Sequence, residues 1–127
     1  MKEKDYAHLV GVPYELLDCW GLVKEFYKII YKYELKTYYE VPTSSVEERE
    51  KIIKEKEKEF KKICLTKIVF GDMITFKVHG VESHVGVYLG KGKYLHSREG
   101  RDSCIENLTA KNGLHAMGAY RVEGLSL

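Results

Sequence analysis

The chain has 127 residues, 44% of them hydrophobic and 31% charged, and its 21 basic residues nearly balance 19 acidic ones for a formal charge of +2. That length suits a single domain over 1–127 with one sizeable core, and the charge balance argues against nucleic acid or an anionic membrane surface as a partner. No apolar run approaches the roughly 18 residues of a membrane span, and the charged start Met1–Tyr6 opens no signal-type apolar stretch, so the expectation is a chain made in the cytoplasm with no membrane partner.

Residues 1–14 read as an irregular or helical lead-in ending at Gly11-Val12-Pro13-Tyr14. A helix is predicted from Asp18 to Leu35, because Cys19, Leu22, Val23, Phe26, Ile29, Ile30 and Tyr33 follow the spacing of one buried helix face. Asp18 has the chemistry of an N-cap. Residues 36–43 read as a loop, and Ser44-Ser45-Val46-Glu47 as a capping box opening a second helix to Cys64. The run Lys54–Glu59 in that helix is a solvated charged face, and Ile52, Ile53, Phe60 and Ile63 are its packing side. From about residue 66 the period changes and glycines become frequent. Strands are expected at Met73–Val78, His84–Leu89, Tyr94–Ser97, Ser103–Asn107 and Ala116–Val122, with a turn at Gly90–Lys93. Helices followed by antiparallel strands make an α+β fold.

The three cysteines, at 19, 64 and 104, are odd in number and widely spaced, which argues against a disulfide framework. Cys19 is distinct because it opens a helix, where unpaired N–H groups and the positive dipole end favour a thiolate. Cys64 and Cys104 read as packing residues. A nucleophilic cysteine needs a base, and the base an orienter. Among the histidines at 8, 79, 84, 96 and 115, His84 and His96 share one hairpin. A two-residue turn at Lys91-Gly92 would pair residues whose numbers sum to 183 and put the two rings on opposite faces. A shared face therefore demands an odd loop or a bulge. With Lys91 at the centre, Gly86 opposes His96 and His84 becomes its diagonal neighbour, about 7–8 Å away between backbones. Glycine at 86 also leaves room for the rings. The same three side chains, Cys19, His84 and His96, form a zinc-type donor set, but no closely spaced pair nucleates it, and neither metal nor cofactor is expected.

Four blocks then carry a resemblance. Asp18-Cys19-Trp20-Gly21-Leu22-Val23 resembles the D-C-[SW]-G-L-V of the NlpC/P60 papain-like hydrolases. Gly71–Phe76 resembles their G-D-[LM]-[IV]-x-F strand, His84–Gly90 their H-V-G-[IV]-Y-[LI]-G, and Tyr94–Ser97 their [FM]-[IL]-H-[AS]. The blocks stand in the family's order. The resemblance implies a papain-like fold, with N-terminal helices packed on an antiparallel sheet. It also implies a Cys-His-His hydrolase with Cys19 as nucleophile, His84 as base and His96 as orienter. Gly11–Tyr14 resembles the family's G-x-P-Y, which implies that Tyr14 helps bind an oxyanion with the Cys19 backbone N–H. The implied substrate is a bacterial cell-wall stem peptide, cut at an amide next to a γ-D-glutamyl unit. The segment from Tyr14 to Cys19 is shorter than in most members, and Trp20 stands where serine is common. Asp18–Val23 followed by a tyrosine-rich helix and a charged second helix is most similar to bacteriophage members. That similarity implies either a phage-associated cell-wall peptidase or a structural tail-tip component of the same fold whose partners are other tail-tip proteins.

Overall fold

The structure, a computed structural model, describes residues 5–35, 60–78, 81–98, 100–109 and 114–122. The predicted loop 36–43, the capping box at 44–47 and the charged run 54–59 lie outside these residues. Among the described residues, six strands form one antiparallel sheet: β1 (Phe60–Ile63), β2 (Met73–Val78), β3 (Val81–Gly90), β4 (Lys93–His96), β5 (Cys104–Asn107) and β6 (His115–Val122). Their order across the sheet is β1-β6-β2-β3-β4-β5. Among the described residues one α-helix, α1 (Cys19–Tyr31), packs on it. This is the α+β arrangement expected.

Helix α1 begins where its cap predicts. The Asp18 carboxylate accepts from the Gly21 N–H at 2.7 Å, which satisfies one of the unpaired donors of the first turn. Gly21 leaves room for this cap, since a Cβ there would meet the carboxylate oxygen at 2.9 Å. The helix ends at Tyr31 rather than Leu35, with Lys32 in the left-handed conformation as C-cap. Leu22, Val23 and Phe26 are buried as predicted, and Trp20 and Tyr27 join them. Together they meet Met73, Val85, Val87 and Leu95 on the sheet. The opposite sheet face carries a smaller cluster of Ile74, Phe76, Tyr94 and Leu114.

The predicted second helix is wrong at its C-terminal end. Phe60–Ile63 is strand β1, paired with β6 from Phe60↔Val122 to Ile63↔Ala119. Phe60 is buried and meets the Trp20 ring edge-on at 6.4 Å. The i, i+3 spacing of Phe60 and Ile63 is compatible with a helix, but a partner sixty residues away in sequence decides the matter. Trp20, standing where serine is common, thus fills the space under β1.

Gly71-Asp72 proves to be a structural junction. Gly71 has φ +93°, and a Cβ there would collide with Tyr31. The Asp72 carboxylate is buried, accepts two hydrogen bonds of 2.8 Å from Arg121 on β6, and takes a third from the Val69 N–H. It ties the start of β2 to β6 by the bidentate geometry that suits arginine.

Candidate active site

The β3–β4 hairpin resolves the register question. Lys91 (φ 53°) and Gly92 (φ 75°) form a two-residue turn between Gly90 and Lys93, the left-handed pair that such turns demand. The register then shifts between Tyr88 and Gly90, so Tyr88 faces Tyr94, Val87 faces Leu95 and Gly86 faces His96. A bulge at Leu89 has moved the ladder by one residue, which sets His84 and His96 on one face. Their rings stand edge to face with centroids 5.1 Å apart, and His84 Nε2 lies 2.9 Å from His96 Nδ1. Gly86 makes this possible. A Cβ there would lie 2.9 Å from the Leu95 carbonyl oxygen and 3.2 Å from the His96 Cβ.

The chain of contacts continues onto β5. His96 pairs with Cys104 across the β4–β5 ladder, and Tyr94 with Glu106. Alternation puts Cys104 and Glu106 on the histidine face. His96 Nε2 is 2.9 Å from Glu106 Oε1, and Arg101 Nη2 lies 3.3 Å from the same oxygen. Glu106 escapes sequence reasoning because glutamate in an alternating edge strand looks like a solvated residue. Its only sequence signal is its i+2 relation to Cys104, read against a register that pairs Cys104 with His96.

This geometry dictates the tautomers. A carboxylate accepts hydrogen bonds and donates none, so His96 Nε2–H donates to Glu106. His96 Nδ1 is then an acceptor, and His84 Nε2–H donates to it. His84 Nδ1 is left with its lone pair free, the state a general base requires.

Cys19 lies at the first position of α1, partly buried against the core. Its sulfur is within hydrogen-bond reach of the backbone N–H of Val85, the residue after His84, and of the N–H groups of Trp20 and Cys19 itself. The β3–β4 ladder begins one residue further on, at Gly86↔His96. Just past His96, the buried Ser97 hydroxyl donates to the Leu17 carbonyl at 2.6 Å, which fastens the segment before Cys19 to the end of β4. The turn that shortens this segment is closed by Leu16 and Leu17 N–H groups donating to the Pro13 carbonyl. Tyr14 lies half-buried in that turn. Upstream, Gly11 and Val12 are tied to Ser103 just before β5.

The electrostatics differ from the thiolate expected at the helix start. Burial pushes the Cys19 thiol up, the Asp18 charge adds to that, and the three N–H groups oppose it. Burial likewise holds His84 down at about 3, aided by the His96 and Arg98 charges and opposed by Glu106. His96 is lowered too, chiefly by burial and against Glu106. The Cys19 thiol and the His84 imidazole are therefore both neutral at rest. Cys64, expected in the packing, is instead exposed, with its sulfur 3.1 Å from the Thr66 hydroxyl, a contact that lowers its thiol. Cys104 lies on its predicted strand, but its sulfur is among polar groups, 3.4 Å from Glu106 Oε1 and 3.7 Å from His96 Nε2.

Solved structures share this fold, among them the following three. The NlpC/p60 domain of the peptidoglycan hydrolase SagA superposes with a TM-score of 0.65 at 18% identity, covering 94% of each chain. A lipoprotein-like protein of the NLP/P60 family from Staphylococcus aureus gives 0.64 at 19% identity, covering 94% of this chain and 39% of that one. An NlpC/P60 family protein from Bacillus cereus gives 0.61 at 23%, covering 96% and 40%. No curated protein sequence matches. The family model described as NlpC/P60 matches residues 4–117, nearly the whole described chain, so the protein belongs to the NlpC/P60 family.

Proposed function

We propose that the protein is a cysteine hydrolase of bacterial cell-wall peptides, with Cys19 as nucleophile, His84 as general base and His96 as its orienter. The observation that carries this reading is the His84–His96–Glu106 relay on β3–β5, together with a cysteine at the start of the helix packed on the same sheet. Cys19 Sγ attacks the scissile carbonyl as its proton passes to His84 Nδ1. The new S–C bond forms a tetrahedral intermediate, whose oxyanion the Cys19 backbone N–H and the Tyr14 hydroxyl receive. The C–N bond breaks as His84 returns its proton to the leaving amine. Water, activated by His84, then attacks the thioester, and the acid product leaves.

The substrate class rests on family membership and on the SagA domain, which is named a peptidoglycan hydrolase. The preferred bond is an amide beside a γ-D-glutamyl unit. A phage-borne setting is supported only by sequence, by Asp18–Val23 with the tyrosine-rich and charged segments that follow it. The test is incubation with purified peptidoglycan and with a γ-D-glutamyl stem peptide, with products identified by mass spectrometry. Wild type should release fragments with a new amine on the residue after D-glutamate, and Cys19→Ala should release none. A wild type as inert as Cys19→Ala on both substrates would favour the tail-tip structural reading.

A further inference from the structure

We propose that His96, Cys104 and Glu106 form a Zn²⁺ site whose occupation switches the base off. The donor atoms are an imidazole nitrogen, a thiol sulfur and a carboxylate oxygen, the mixture zinc favours. Their separations are 2.9 Å for N to O, 3.4 Å for S to O and 3.7 Å for S to N. Tetrahedral zinc holds N and O about 3.3 Å apart, and sulfur about 3.5 Å from either. The two sulfur separations already match, and the N–O contact must widen by about 0.4 Å. Register explains the cluster. Cys104 faces His96 across the ladder, and Glu106 follows two residues on, on β5 at the sheet's edge. A cation already leans on this group, since Arg101 Nη2 lies 3.3 Å from Glu106 Oε1 and 3.6 Å from Cys104 Sγ. Its side chain is 48% exposed and free to swing into solvent.

Occupation has a chemical consequence at the other end of the relay. Zinc takes the His96 Nε2 lone pair and displaces the proton held there. The neutral ring then carries its proton on Nδ1, facing His84 Nε2. Two N–H groups cannot face each other at 2.9 Å, so the His84 proton moves to its own Nδ1. The exchange leaves the proton count of the histidine pair unchanged, while the Cys104 thiol proton goes to solvent. His84 Nδ1 no longer has a lone pair for the Cys19 proton. This inhibition rests on the hydrolase reading; metal binding does not.

Co²⁺ serves as the optical probe, in a Cys64→Ser background that removes the exposed thiol. One equivalent should give a thiolate-to-cobalt band and intense tetrahedral d–d absorption, both displaced by Zn²⁺. The spectrum should survive Cys19→Ala and vanish in Cys104→Ala. Arg101→Gln should tighten binding several-fold, an effect misfolding cannot produce. Zn²⁺ should inhibit hydrolysis with the midpoint measured for binding, and Cys104→Ala should abolish that inhibition. A band that follows Cys19 instead of Cys104, or no stoichiometric complex, overturns the site. Binding without hydrolysis by the metal-free protein would sink the hydrolase reading and leave the metal site standing.

Discussion

Replacing Glu106 by glutamine tests the relay at its far end. Glutamine can still accept from His96 Nε2–H, so the tautomers survive while the charge is lost. The two 2.9 Å hydrogen bonds and one imidazole ring put the carboxylate oxygen about 8 Å from His84 Nε2, where an ion pair is worth about 2 kcal/mol at an effective dielectric near 20. If the imidazolium is fully formed in the transition state, Glu106→Gln should slow kcat about 30-fold. KM should scarcely move, because the charge on His84 exists only during reaction. Glu106→Leu should lose more, since nothing then holds the His96 proton on Nε2 and the His84 base tautomer becomes one of several. The assay is steady-state cleavage of the stem peptide by both variants. Wild-type kcat in both, or equal losses accompanied by a raised KM, would refute the relay.

Three further outcomes follow from the same coordinates. His84 sits near 3 when folded against 6.5 unfolded, so the unfolded chain binds the extra proton below pH 6.5 and stability falls with pH in that range. The loss at pH 5 is about 2 kcal/mol from His84; urea midpoints at pH 7 and pH 5 measure it, and His84→Gln should flatten the difference. Gly86→Ala should force β3 and β4 apart at the Leu95 carbonyl, destabilise the fold by about 1–3 kcal/mol, and reduce kcat by separating the two rings; denaturant melts and kinetics on the folded variant check both. Iodoacetamide at neutral pH should label Cys64 before Cys19, since one thiol is exposed and lowered and the other is buried and raised; peptide mapping over a time course reads the order.

What was legible in the sequence was whatever local chemistry decides. Asp18 caps α1 because its carboxylate reaches an amide three residues on, and the hairpin had to be irregular because strand periodicity forbids two histidines twelve apart from sharing a face across a regular two-residue turn. The structure supplies both the two-residue turn and the compensating bulge at Leu89. What was not legible depends on non-local partners. Phe60–Ile63 becomes a strand because β6 is there to pair with it. Cys64, one residue further, is then carried to the surface rather than into a helix interface. Glu106 gains meaning only through the β4–β5 register, which no short window of sequence contains.

The proposed reaction draws on a third strand where two could seem to suffice. Burial disfavours charge on either member of a thiol–imidazole pair, and here it pushes Cys19 up and His84 down together. Both groups are therefore neutral at rest, and the proposed attack must place charge on His84 in the same dry surroundings. His96 cannot neutralise that charge, because a neutral imidazole offers a lone pair and no negative charge. The negative charge comes from Glu106, one strand further out, and is the main influence raising both histidines against burial. Arg101 tempers it from 3.3 Å away. The strength of the base at the centre of the sheet is thus set by an acid–base balance on its exposed edge strand. At that edge a solvent cation can compete with Arg101 without entering the substrate site.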